Sequence, residues 1–143
     1  MTTSTDYKKP IPRATGDTQP FWDFCKQREL RFQKCSDCGT FRHYPRPMCG
    51  DCGSLKFEWV KSTGKGKVYT WVTAHRAFHP GFQDELPLPI VIIDVEDAPG
   101  VRMMGNFNDG TKATDLKAGM LVQVVFEQIT PELTIPKFKK ASK

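Results

Sequence analysis

The chain has 143 residues, enough for one ordinary domain, or for a small module joined to a compact barrel, with roughly two-thirds of the unfolded surface buried. Its longest apolar run, Ile90-Val91-Ile92-Ile93, is far short of the ~20 residues of a membrane-spanning helix, and residues 1–5 ahead of Asp6 carry no apolar core of a secretory signal. The formal charge of +5 is weak evidence for nucleic-acid binding, because Lys137, Lys139, Lys140 and Lys143 gather at the C-terminal end, where a basic tail keeps a terminus solvated.

Residues 1–17 are polar, contain Pro10 and Pro12, and read as a poorly ordered arm. Residues 18–32 read as a helix with Thr18 as its cap and Pro20 in its first turn. Phe21, Phe24, Cys25 and Arg28 fall on one face, which Trp22 and Leu30 widen. The cysteine-bearing segment runs from Phe32 to about Trp59, and from about Glu58 the pattern becomes that of strands.

Residues 68–75 are rich in β-branched and aromatic side chains. Pro89 opens a strand over 90–96 that sets Val91, Ile93 and Val95 on one face. A strand over 101–107 follows the Pro99-Gly100 turn and ends at Asn108-Asp109-Gly110. Residues 122–127 alternate, with Val122, Val124 and Phe126 inward, and a short strand at 133–138 makes the fifth. Five strands predict a small closed barrel of the OB type.

Four of the five cysteines lie in two knuckles, Cys35-Ser36-Asp37-Cys38-Gly39 and Cys49-Gly50-Asp51-Cys52-Gly53. With no export signal the expected compartment is a reducing cytoplasm, where paired CxxC motifs mean metal more often than disulfides. Zn²⁺ takes four soft ligands in a tetrahedron, and two knuckles supply them. Gly39 and Gly53 stand where positive φ aims backbone N–H groups at the sulfurs. Four thiolates and one Zn²⁺ bring the net charge to about +3. An all-sulfur site has no open position, so its expected role is structural. Iron also suits four sulfurs, which leaves an iron-based electron carrier as a rival reading. His43, between the knuckles, reads as a surface or packing residue, and Cys25 as a buried, inert thiol.

His43, His75 and His79 are too scattered to form a triad or metal cluster, and no nucleophile elbow or phosphate-binding loop is present. His75 reads as a strand-end residue, and Asp94, Glu96 and Asp97 as a solvated turn. The chain does not read as a self-sufficient enzyme. Residues 77–88 are too long for a hairpin turn and carry an apolar tip, as a functional loop docked on something would.

Taken in order, the chain resembles the zinc-ribbon-plus-OB-fold proteins associated with acyl-CoA enzymes, from about Pro20 to Phe138. The marks are Pro20-Phe21-Trp22, the doubled CxxCG, Tyr44-Pro45-Arg46-Pro47, Gly64-Lys65-Gly66-Lys67-Val68-Tyr69, His75-Arg76, Pro80-Gly81-Phe82 and Leu116-Lys117-Ala118-Gly119-Met120. The resemblance implies a mainly β fold made of an N-terminal helix, a rubredoxin-like zinc ribbon and a five-stranded OB-fold barrel. The division expected is an arm over 1–17, helix and ribbon over 18–56, and the barrel with its basic tail over 57–143. It implies a structural Zn²⁺ on Cys35, Cys38, Cys49 and Cys52, no catalytic residue, and a cytoplasmic hetero-oligomer. The partner would be a thiolase-fold acyl-CoA enzyme, such as a thiolase, an acyltransferase or a steroid side-chain aldolase.

Partner or CoA-thioester contacts are then expected at Phe21, Trp22, Arg42, Arg46, His75 and Phe82, with Phe24 beside them on the helix. Lys34, Arg42 and Arg46 either offset the zinc thiolates or meet CoA phosphates. The alternative is a single-stranded nucleic-acid module, with Tyr69 and Trp71 on one strand face stacking bases. Few basic strand residues, and Asp94, Glu96, Asp97 and Glu127, oppose it.

Overall fold

The computed structural model describes residues 6–141. Helix α1 (Gln19–Lys26) has Pro20 in its first turn as expected. Thr18 stands at the N-cap, but its hydroxyl accepts from the Thr15 N–H at 2.8 Å and makes no cap bond. The helix stops at Lys26 instead of continuing to residue 32. Arg28 takes φ 62°, and the N–H groups of Arg28 and Glu29 return to the carbonyls of Cys25 and Phe24, both at 2.9 Å. This is a Schellman closure with arginine where glycine is usual. The Arg28 guanidinium donates to the Phe126 carbonyl at 2.8 Å, which offsets the cost of the left-handed residue.

Past this turn the chain runs as a strand. β1 (Leu30–Cys35) lies between β2 (Phe41–Arg42) and β3 (Phe57–Ser62), antiparallel to both. Leu30 and Phe32, two residues apart, share a face as a strand and would lie on opposite sides of a helix, and pairing on both edges of β1 completes the strand.

The second sheet has the order β6-β5-β4-β7-β8. Its members are β4 (Lys65–Ala74), β5 (Leu88–Val95), β6 (Arg102–Gly105), β7 (Leu121–Thr130) and β8 (Leu133–Lys140). Phe107 bridges Phe138 in parallel, and the N–H groups of Asn108 and Phe138 reach the carbonyls of Phe138 and Asn106 at 3.0 Å each. Third strand thus meets fifth and the OB barrel closes. Gly105 permits the contact, since a Cβ there would stand 2.7 Å from the Phe138 ring. Val91, Ile93, Val95, Val122 and Val124 point inward as expected, with Phe126 at the core edge.

One core serves both parts: Phe21, Cys25, Leu30 and Phe32 pack with Val68, Val91, Val122 and Phe138. β3, which the sequence division places with the barrel, pairs with β1 along its whole length. The crossing between sheets is clamped. Ser62 Oγ donates to Asp97 Oδ1 at 2.5 Å, the Thr63 N–H to Asp97 Oδ2 at 2.8 Å, and the Gly64 N–H to Ser62 Oγ at 3.0 Å. Asp97 is therefore more than part of a solvated turn. Partial burial pushes its carboxyl up, but the bonds from Ser62 and Thr63 hold it below its ordinary value.

The terminal segments are more engaged than their composition suggests. Residues 6–17 are not a loose arm: the Lys8 backbone abuts Gly81, and Lys9 pairs with Glu85 while its ammonium lies 5.3 Å from the Phe82 ring centre. The loop over 77–88 is thus docked on the chain's own arm, and within it His79 Nδ1 accepts from the Gly81 N–H at 3.1 Å to cap the turn Pro80–Glu85. Lys137, Lys139 and Lys140 belong to β8, not to a solvated tail, and Lys137 is buried with its ammonium 3.2 Å from Glu127. Residues 1–5 and 142–143, Lys143 among them, lie outside the described residues. Among the described residues no helix is long and apolar enough to cross a membrane.

Candidate metal centre and its surroundings

Each knuckle is a tight turn that the sequence repeats. The Gly39 N–H bonds the Cys35 carbonyl at 3.0 Å, and the Gly53 N–H bonds the Cys49 carbonyl at 2.9 Å. Both glycines take the expected positive φ, 78° and 77°. The two turns bring four Sγ atoms within 4.8 Å of one another, with Cys35–Cys52 and Cys38–Cys49 both 3.6 Å apart. A ZnS₄ tetrahedron with bonds of ~2.3 Å has edges of about 3.8 Å, so the donor set fits Zn²⁺. The electrostatics agree. The Cys38 N–H, pointing at Cys35 from 3.5 Å, lowers that thiol to about 6. The Ser54 N–H likewise favours a thiolate at Cys52, yet the neighbouring sulfurs push it up to about 12. Four thiolates cannot share this space without a cation between them.

A second layer escaped the sequence reading. Thr40 and Ser54, each following a knuckle glycine, donate across the site to the aspartate of the opposite knuckle: Thr40 Oγ1 to Asp51 at 3.0 Å and Ser54 Oγ to Asp37 at 2.5 Å. The identical placement of Asp37 and Asp51, and of Thr40 and Ser54, within the two repeats was the available signal.

The remaining residues of interest are scattered. Phe21 is in the core, edge-on to Trp22 at 5.1 Å and 5.0 Å from the His43 ring, so it is not an outward anchor. Trp22 is half-buried in a groove shared with Ile11 and Pro12 of the arm, and Phe24 packs on Trp59 at 5.6 Å. The helix aromatics are spent on the chain's own packing because the helix has only two turns in which to bury them. His43 is a packing residue, and burial lowers it to about 4, leaving the ring neutral. Cys25 is buried, its thiol pushed up to about 12 by desolvation, and inert.

Arg42 is a brace: Nε donates to buried Gln33 Oε1 at 2.7 Å and Nη2 to the Arg46 carbonyl at 2.8 Å, while Gln33 also accepts from the Arg46 N–H at 2.8 Å. Arg46 keeps an exposed side chain. Exposed His75 lines a cleft of about 810 Å³ with Lys137, Glu127 and Lys112. Phe82 lines an adjoining apolar cleft of about 440 Å³ with Tyr44, Arg76, Phe78, Ile90 and Met104, and Leu86 and Leu88 border both clefts.

Tyr69 and Trp71 do not share a face. The register shifts between Val68 and Thr70, so one extra residue on β4 turns Trp71 toward the core and leaves Tyr69 outward. Arg102 covers the Tyr69 ring at 3.8 Å. The stacking platform expected of a nucleic-acid module is not assembled.

Two family models match the chain: the ChsH2 rubredoxin-like zinc ribbon domain over residues 22–58 and the ChsH2 C-terminal OB-fold domain over residues 59–127. A probable enoyl-CoA hydratase alpha subunit of Thermomonospora curvata is 35% identical over 133 residues, 93% of this chain. This chain spans only 40% of that protein's length. A DUF35 domain-containing scaffold protein of Methanocaldococcus jannaschii is 37% identical over 110 residues, 76% of this chain and 75% of that one. Among solved structures, the Ltp2-ChsH2(DUF35) aldolase contains a chain that superposes with a TM-score of 0.80 at 32% identity, over 92% of this chain and 100% of that one. With the ribbon, the barrel and the four clustered sulfurs in place, the chain belongs to the DUF35 family of ChsH2-type zinc-ribbon and OB-fold proteins, and its metal is a structural Zn²⁺.

Proposed function

We propose that the protein is a non-catalytic, zinc-binding accessory subunit of a cytoplasmic, hetero-oligomeric acyl-CoA enzyme, whose thiolase-fold partner supplies the reacting groups. The observation that carries this reading is the superposition on the whole of one chain of a two-component aldolase. The relative from Thermomonospora curvata is named for a hydratase, and both names place relatives of this chain beside acyl-CoA or aldol chemistry. An aldolase or hydratase partner is favoured over an acyltransferase on that ground.

The chain's own residues agree. The four sulfurs leave zinc no open position, buried Cys25 and partly buried His43 are uncharged, and among the described residues His75 makes no side-chain hydrogen bond. Such a subunit acts by holding its partner in an assembled, water-excluding form around a CoA thioester. The test is to purify the partner from its own cells with this chain tagged, then assay the acyl-CoA reaction with the chain present and stripped away. Loss of activity on stripping and recovery on re-addition supports the reading; full activity of the partner alone removes it.

A further inference from the structure

The outward side of a small antiparallel barrel is ordinarily polar. Here part of it is not. Lys67, Asp94 and Arg102 keep one end of the outward face of β4, β5 and β6 charged, but toward the other end Val72 pairs with Ile90, and Ile92 lies between Thr70 and Met104. Val72 is 62% and Met104 69% exposed. The row continues into the 440 Å³ cleft, where Phe78 of the long loop is 89% exposed and Tyr44 of the ribbon 65%. Ribbon, loop and barrel therefore contribute to one apolar surface of the kind that marks an interaction site. Arg76 stands at its rim with its guanidinium 5.7 Å from the Phe78 ring centre. Among the described residues no carboxylate lies within ion-pair distance of Arg76 or of Arg46, two residues beyond Tyr44.

We propose that this face is where the catalytic acyl-CoA subunit docks, meeting it with an apolar ridge flanked by carboxylates that pair with Arg76 and Arg46. The proposal rests on the accessory-subunit reading and adds the surface and the chemistry of its complement. Charge selects the occupant. A second copy of the chain would set the same cationic rim against itself, whereas an acidic-flanked partner neutralises it and covers Val72, Ile90, Ile92 and Met104 together.

The experiment uses the full zinc-loaded chain and the acyl-CoA enzyme subunit that co-purifies with it, identified by mass and re-expressed. Binding is measured for the wild type, Met104→Lys, Val72→Lys, Arg76→Glu and the distant exposed control Gln128→Lys. Zinc content and circular dichroism confirm that each variant is folded. All sites are exposed, and Ile92→Val is added as a mild variant should a lysine disturb the sheet. Expected is a loss of at least tenfold in affinity for the three charge variants, with Gln128→Lys within twofold of wild type. Wild-type binding that the three folded variants retain within twofold overturns the docking face while leaving the accessory-subunit reading intact. Failure of the wild type to bind any acyl-CoA enzyme overturns both. Self-association of the wild type that Met104→Lys abolishes, with partner binding unchanged, assigns the face to a second copy and overturns the proposal.

Discussion

Ser54 donates its hydroxyl to the Asp37 carboxylate at 2.5 Å, and Thr40 repeats the contact to Asp51 at 3.0 Å from the other side of the metal centre. Each knuckle thus holds the other through side chains as well as through the shared ion. Ser54→Ala should lower stability by about 1 kcal/mol, the usual worth of one such bond. Asp37→Asn combined with Ser54→Ala should cost less than the sum of the two singles, which a double-mutant cycle by denaturant unfolding reads directly. Additive costs would show that the contact contributes nothing.

Metal removal should be far more damaging. Structural zinc in small domains contributes on the order of 10 kcal/mol of apparent binding free energy, and between Phe32 and Val68 the chain adds no side chain to the buried core cluster. Chelation at neutral pH should therefore melt β1, β2 and β3, seen as loss of far-ultraviolet signal and of partner binding. Elemental analysis should find one zinc per chain in a colourless protein. Visible thiolate-to-metal bands would mean iron instead.

Two glycines separate backbone strain from steric collision. Gly53 has φ 77° with open space around a notional Cβ, so Gly53→Ala should cost about 1–2 kcal/mol. Gly64 has φ 78°, and a Cβ there would collide with Val124 Cγ1. Gly64→Ala should cost about 3 kcal/mol or more, because overpacking adds to strain. Melting temperatures of the two variants should differ accordingly.

Asp97 makes the ribbon–barrel crossing acid-sensitive. Its folded value lies below its unfolded one, so its contribution is present above about pH 4, where the unfolded carboxyl is already ionised, and is lost as pH falls through the folded value. Asp97→Asn should remove about 0.5–1 kcal/mol at neutral pH, a figure reduced for a largely exposed group, and should flatten that part of the acid limb. An unchanged acid limb would mean that the clamp contributes no pH dependence.

Arg28 carries two opposed effects. Arg28→Ala keeps the left-handed backbone and loses the bond to the Phe126 carbonyl, so it should cost about 1–2 kcal/mol. Arg28→Gly loses the same bond but relieves the φ strain and should recover about 1 kcal/mol of that loss. Equal unfolding midpoints for the two variants would refute this division.

Much of this molecule was readable in one dimension. The metal site was legible because its ligands, turn glycines and spacing are local, and a knuckle needs only five neighbouring residues. The barrel strands were legible because Val91, Ile93 and Val95, or Val122 and Val124, keep a strict two-residue period. The apolar outward row was also written there, since Leu88-Pro89-Ile90-Val91-Ile92-Ile93 is apolar at both parities while the core uses only one. Other features depended on tertiary structure. Leu30 to Cys35 became a strand because β2 and β3 offered partners on both edges, and a left-handed Arg28 ended the helix to let it happen. A single extra residue at Tyr69 reversed the facing of Trp71. Lys137 left the solvent because Glu127 stood across the β7–β8 pair, and Phe21 went to the core because ribbon and barrel share one. Short-range chemistry fixes what repeats within a few residues. Which face meets which, and which charge finds a partner, is settled only when segments distant in the chain come into contact.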